Sequence, residues 1–202
     1  MKYKIKNSKG EIQGGQSLVE MIVAIAIILT GLVGALSLTI SNLTGVDEAG
    51  TRVVASNLAR EGIEVARNFR DANWLKNLDW DTGLYSGNDF TAIAIFDPPT
   101  NKWRLDFSPN AISDLAAKLY RSPENLYLQD TAPPAGMETQ YFRLITLDPI
   151  CFNAATQTES ITGNLCGVGE EKIGIRIKSE VTWKLSGRAR DVILEDRIYN
   201  WR

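Results

Sequence analysis

The sequence predicts an α+β chain. One long N-terminal helix, membrane-spanning in its first half and amphipathic in its second, packs on an antiparallel sheet of four or five strands. Three observations carry this prediction. Met21 to Val46 contains no charged residue. Thr51 to Trp74 carries a stripe of Ala55, Ala59, Ile63, Ala66 and Phe69 close to helical spacing. In the C-terminal part apolar and polar residues alternate, most clearly at Ile173, Ile175 and Ile177 and again at Val181, Trp183 and Leu185.

Residues 1–15 form a short basic leader with Lys2, Lys4, Lys6 and Lys9, ending in the pair Gly14-Gly15. It has no periodicity that builds structure and reads as a removable targeting segment. Residues 16–46 form the apolar helix. Its heart, Met21 to Ile40, rises about 1.5 Å per residue and so matches a hydrocarbon core of roughly 30 Å. A secretory signal is cut after a shorter apolar region. Here the Gly pair precedes the apolar run, so the run stays with the mature chain as an anchor. The leader lysines place that end in the cytoplasm and the rest outside it.

Glu20 stands just before the apolar run. A carboxylate driven to the bilayer centre costs on the order of a few kcal/mol. It is tolerated at the interface near a helix start, or it pairs with a positive charge. A cut between Gly15 and Gln16 would supply one, because the new amino terminus lies within one helical turn of Glu20.

Residues 47–76 continue as an amphipathic helix, with Gly45 and Gly50 placed to bend or loosen it. On its polar faces Arg60 with Glu64, and Arg67 with Asp71, are spaced to pair weakly. Residues 77–202 form an extracytoplasmic head rich in β-structure. Asn77 to Asn88 is a polar loop. Asp79-Trp80-Asp81-Thr82-Gly83 resembles the opening of a calcium loop but lacks its later ligands, so no metal is expected and its carboxylates read as solvated.

Phe90 to Phe96 and Lys102 to Phe107 read as strands joined at Asp97-Pro98-Pro99-Thr100-Asn101. Ser108-Pro109 starts a short helix through about Tyr120, and residues 121–138 are irregular. Tyr141 to Leu147 alternates as a strand, and Asp148 to Glu171 is a loop. Ser186-Gly187 turns a final hairpin, and Asp191 to Trp201 returns. Cys151 and Cys166, the only cysteines, close a disulfide loop if the head is exported. In the cytoplasm they would be two reduced, buried thiols.

The composition argues against catalysis and nucleic-acid binding. There is no histidine, the commonest general base and metal ligand. There is no nucleophile elbow or phosphate loop, and no cofactor is expected. The net charge is −2 with scattered cations, which is no nucleic-acid footprint.

The N-terminal stretch resembles the class III signal of type IV pilins and pseudopilins. It has a short basic leader, Gly15 before the cut, Glu20 as the fifth residue after it, and the apolar helix Met21 to Ile40. The match is confined to that stretch, but its parts rarely coincide. The resemblance implies a type IV pilin-like fold, cleavage between Gly15 and Gln16 by a prepilin peptidase, and N-methylation of Gln16. It also implies that Glu20 aids assembly by meeting the N-terminal amine of a neighbouring subunit, so that the partners are other pilin subunits, bound through the helix. The location implied is the cytoplasmic membrane and then a pilus or secretion pseudopilus. Gln16 stands where Phe is usual, and Ser37 where many major pilins carry a helix-breaking Pro. Both departures point to a minor pilin or pseudopilin. The run LAREGIEVARNFRD looks like the corresponding region of PilV-like minor pilins. A reading from another class is a single-pass, membrane-anchored extracytoplasmic binding domain that never enters a filament.

Overall fold

The computed structural model describes residues 16–132 and 136–200, with the backbone alone at Gln16 and Ser17. The expected leader, including Gly15, and Trp201 lie outside the described residues. The described chain is one helix followed by eight strands, all paired antiparallel. It divides into two units, one ending at Ala49 and one beginning at Gly50. The helix, α1, runs Gln16–Leu75, so neither Gly45 nor Gly50 interrupts it.

The end of α1 is written in its sequence. Asn77 takes a left-handed φ of 58°, which Asn tolerates better than most residues. The Leu78 amide then donates to the Asn73 carbonyl at 2.9 Å and the Asn77 amide to that of Trp74 at 3.2 Å. These two bonds form a Schellman stop. The Asn73 side chain, itself buried, donates to the carbonyls of Trp80 and Thr82 and folds the next loop back against the helix.

The strands are β1 (Thr91–Asp97), β2 (Lys102–Asp106), β3 (Lys118–Arg121), β4 (Tyr127–Leu128), β5 (Met137–Asn153), β6 (Thr158–Ile161), β7 (Glu170–Leu185) and β8 (Arg188–Tyr199). The hub is β5. One edge pairs with β7 from Phe142 to Asn153. The other is shared by β3, β1 and β6 in turn. The turn between β7 and β8 places Ser186 and Gly187 at φ 49° and 78°, the double positive φ of a two-residue hairpin whose twist matches the strands.

The head's core lies between the second half of α1 and one face of the sheet. Ala55, Leu58, Ala59, Ile63, Val65 and Ala66 meet Tyr141, Ile145, Leu147, Ile177, Val181 and Trp183. Small residues on α1 let the helix sit close. At Gly62 an added Cβ would stand 2.5 Å from the Ser179 hydroxyl oxygen and 3.3 Å from Ile145. Ser179 is fully buried and its hydroxyl has no hydrogen-bond partner. Gly62→Ala is therefore expected to destabilise by about 1–3 kcal/mol through overpacking, more than its helix-propensity gain of about 1 kcal/mol. Adding Ser179→Ala should recover most of the loss. Denaturant melts of the two single variants and the double variant check this, and additive effects would contradict the contact.

Several sequence readings need correction. The sheet has eight strands rather than four or five. The expected helix from Ser108 is a set of turns with a 3₁₀ turn at Leu115–Ala117, leading into β3. Ser108 turns its hydroxyl back to Asp106 instead of capping forward, and Asp114 gathers the amides of Asn110 and Ala111. The region 121–138 contains β4 and the start of β5.

Asp148-Pro149 does not end the strand. Arg176 donates to the Asp148 carboxylate, a bond that holds the Arg176 guanidinium pKa above its ordinary value. Pro149, which has no N–H to give, falls between the stretches that pair with β1 and β6. On α1, Arg67 reaches Glu64 at 2.6 Å and Asp196 of β8 at 2.9 Å, while Asp71 pairs with Arg70. The expected Arg67–Asp71 pair is absent because Arg67 bridges to the sheet.

Candidate functional site

The first unit is helical from Gln16, and its surface is the candidate site. From Leu18 to Val46 the large apolar side chains are exposed, with Leu18 at 62% and Val46 at 68%. None of this apolar stretch is buried in the fold. The same residue types are hidden in the second unit, where Ile145 and Ile177 are fully buried. A soluble monomer rarely exposes so large a continuous apolar surface.

The helix is long and apolar enough to cross a membrane by length and composition. Its threonines add to this. The Thr30 hydroxyl donates to the carbonyls of Ala26 and Ile27 at 3.0 and 2.9 Å, that of Thr39 to Ala35 at 2.9 Å, and that of Thr44 to Ser41 at 2.8 Å. Each hydroxyl is satisfied inside the helix, which suits surroundings that offer no water. The sequence reading missed this because an apolar run read by composition does not say where a Thr proton goes.

Glu20 is exposed in the early turns of α1. It is the only ionisable side chain between Gln16 and Val46. Gln16 begins the helix one turn before it. Gly15, the other half of the expected cleavage site, lies outside the described residues.

The remaining expected positions are in the head. Cys151 and Cys166 are joined, with Cα atoms 5.6 Å apart. Cys151 is 1% exposed, near the end of β5, so the bond ties the turn over 162–169 to the central strand. The Asp79–Gly83 loop is no solvated acidic opening. Asp81 is buried and ion-paired with Lys172, whose ammonium also lies 3.9 Å from the ring centre of Tyr85 and 5.7 Å from that of Trp80. Asp81 is thereby used to pin the loop to β7. Among the described residues no three His, Cys, Asp or Glu side chains gather as a metal site.

The features brought together are thus an exposed apolar helix with one acidic residue near its start, and a separate head locked by ion pairs and a disulfide. Comparison with protein-family models, curated proteins and solved structures finds no match for this chain.

Proposed function

We propose that the protein is a minor type IV pilin or pseudopilin. It is a structural subunit held in the cytoplasmic membrane by the first half of α1, cleaved between Gly15 and Gln16 by a prepilin peptidase, N-methylated at Gln16, and drawn into a pilus or secretion pseudopilus. The observation that carries this reading is the placing of Glu20 before an uncharged helical run whose apolar side chains find no cover among the described residues. A bilayer covers them first and neighbouring helices afterwards. The amine created at Gln16 gives Glu20 of a neighbouring copy a partner in a low-dielectric setting, where opposite charges attract far more strongly than in water.

Co-expression with a prepilin peptidase and N-terminal sequencing tests the processing. The expected product begins at methylated Gln16, and a different start or an uncut chain contradicts it. Glu20→Val is expected to leave membrane insertion intact and to abolish incorporation into sheared filaments. Unchanged incorporation would favour the second reading, a membrane-anchored extracytoplasmic binding domain. The disulfide supports a head outside the cytoplasm under either reading.

A further inference from the structure

We propose that the recess between the last turns of α1 and the β1–β2 hairpin binds an acidic saccharide, its carboxylate held by Lys76 and Lys102. The proposal lies within the head and does not depend on the filament reading.

The recess has a volume of about 520 Å³, within the roughly 300–1,000 Å³ usual for ligand sites. Lys76, just past the end of α1, and Lys102, at the start of β2, both line it. Both are exposed, and among the described residues neither has an ion-pair partner. Elsewhere in the head Arg67, Lys118, Arg143, Lys172 and Arg176 are all paired with carboxylates. Among the described residues no Asp or Glu lines the recess, although acidic residues outnumber basic ones in the chain. Two lysines from distant parts of the sequence, neither in a salt bridge, thus line one cavity.

The other lining groups decide the class of anion. Phe96 and Trp103 face each other across β1 and β2 with ring centres 5.0 Å apart, and both are partly exposed. They offer aromatic surface of the kind that packs on the C–H face of a pyranose. Asn68 and Asn101 add exposed amides, each able to donate to and accept from hydroxyl groups. An aromatic wall, neutral amides and two cations match a sugar ring bearing a carboxylate. A single-stranded nucleic acid needs a basic groove that follows its backbone, and two lysines do not make one. The walls are already set. The Schellman stop fixes the backbone on both sides of Lys76, Asn73 holds the loop through Thr82, and Thr100 bonds to Asp97 across the hairpin loop. Little ordering is left for the ligand to impose.

The test uses the full chain in detergent micelles at low ionic strength. Trigalacturonic acid, a neutral galactose trisaccharide, inorganic phosphate and an aspartate-rich hexapeptide are compared by calorimetry and saturation-transfer NMR. The acidic trisaccharide is expected to bind at least about tenfold more tightly than the other three. Lys76→Glu/Lys102→Glu should cut that affinity by about tenfold or more and leave the unfolding midpoint unchanged, because both side chains are exposed and unpaired. Asn68→Trp, which fills the recess from the exposed face of α1, should block both trisaccharides. Equal binding of phosphate, tighter binding of the peptide, or undiminished binding by the double lysine variant overturns the proposal.

Discussion

Replacing Arg143 with Met is expected to destabilise the head by about 3–5 kcal/mol, because it removes charge-assisted hydrogen bonds and strands the buried acceptors that they satisfied. Arg143 is fully buried in β5. Its Nε donates to the side-chain oxygen of Gln129 at 2.9 Å. One terminal nitrogen donates to the Leu58 carbonyl at 3.1 Å and the Glu61 carboxylate at 2.9 Å, and the other to the Ala94 carbonyl at 3.5 Å. Gln129, 2% exposed, in turn donates to the carbonyls of Ala117 and Arg143. One side chain therefore ties together α1, β1, β5 and the segment just after β4.

Which loss dominates is settled by burial. The Glu61 side chain is 36% exposed and can turn to water. Glu61→Gln, by contrast, leaves the fully buried Arg143 guanidinium without its counter-charge and should cost more than a typical net hydrogen bond, on the order of 3 kcal/mol. Gln129 has no such exit to water, so its oxygen is stranded in Arg143→Met. Arg143→Met/Gln129→Leu removes that stranded acceptor and should be more stable than the sum of its single variants predicts, by about 1–3 kcal/mol. Chemical denaturation followed by tryptophan fluorescence measures all of these, since every tryptophan lies beyond residue 50 and reports the head alone. A loss below about 1 kcal/mol for Arg143→Met would mean that the network contributes no more than a surface pair.

The position of Arg143 explains what sequence could and could not disclose. It has the strand parity of Tyr141, Ile145 and Leu147, the residues that face α1. Burial was therefore implicit in the alternation that marked Tyr141 to Leu147 as a strand. Its partners Glu61 and Gln129 were not, because nothing local in YFRLITL names a residue 82 or 14 positions away. The same division holds elsewhere. The hairpins at Asp97–Asn101 and Ser186–Gly187 and the helix end near Trp74 were legible, because short-range turn chemistry settles them. The extension of β5 past Pro149 and the strands β3, β4 and β6 were not. Of those short strands β3 and β6 are ordered by pairing with β5, and β4 by pairing with β3, rather than by their own composition. At the N-terminal helix the order is reversed. Its exposed apolar surface and the place of Glu20 follow from sequence alone, since α1 has no tertiary partner there to override its pattern.

Removing the disulfide as Cys151→Ala/Cys166→Ala should destabilise the oxidised head by roughly 3 kcal/mol, the chain-entropy value for a loop of this length. The two cysteines lie 15 residues apart. That segment also contains the β5–β6 hairpin, paired from Ile150–Ile161 to Asn153–Thr158, so local pairing already restrains part of the loop. The bond is left to hold the Thr162–Gly169 turn, where Leu165 and Val168 are exposed and contribute no burial of their own. Thermal melts with and without reductant separate the terms. The native protein should melt lower when reduced, and the double variant should not respond. The two thiols should also differ in reduced, folded protein. Cys166 is partly exposed and Cys151 almost wholly buried in the sheet, so alkylation should mark Cys166 first, and Cys151 only as the strand opens. Equal labelling rates would mean that β5 frays at Cys151 once the bond is cut. In that case the disulfide would be holding the end of the central strand as well as the turn beside it.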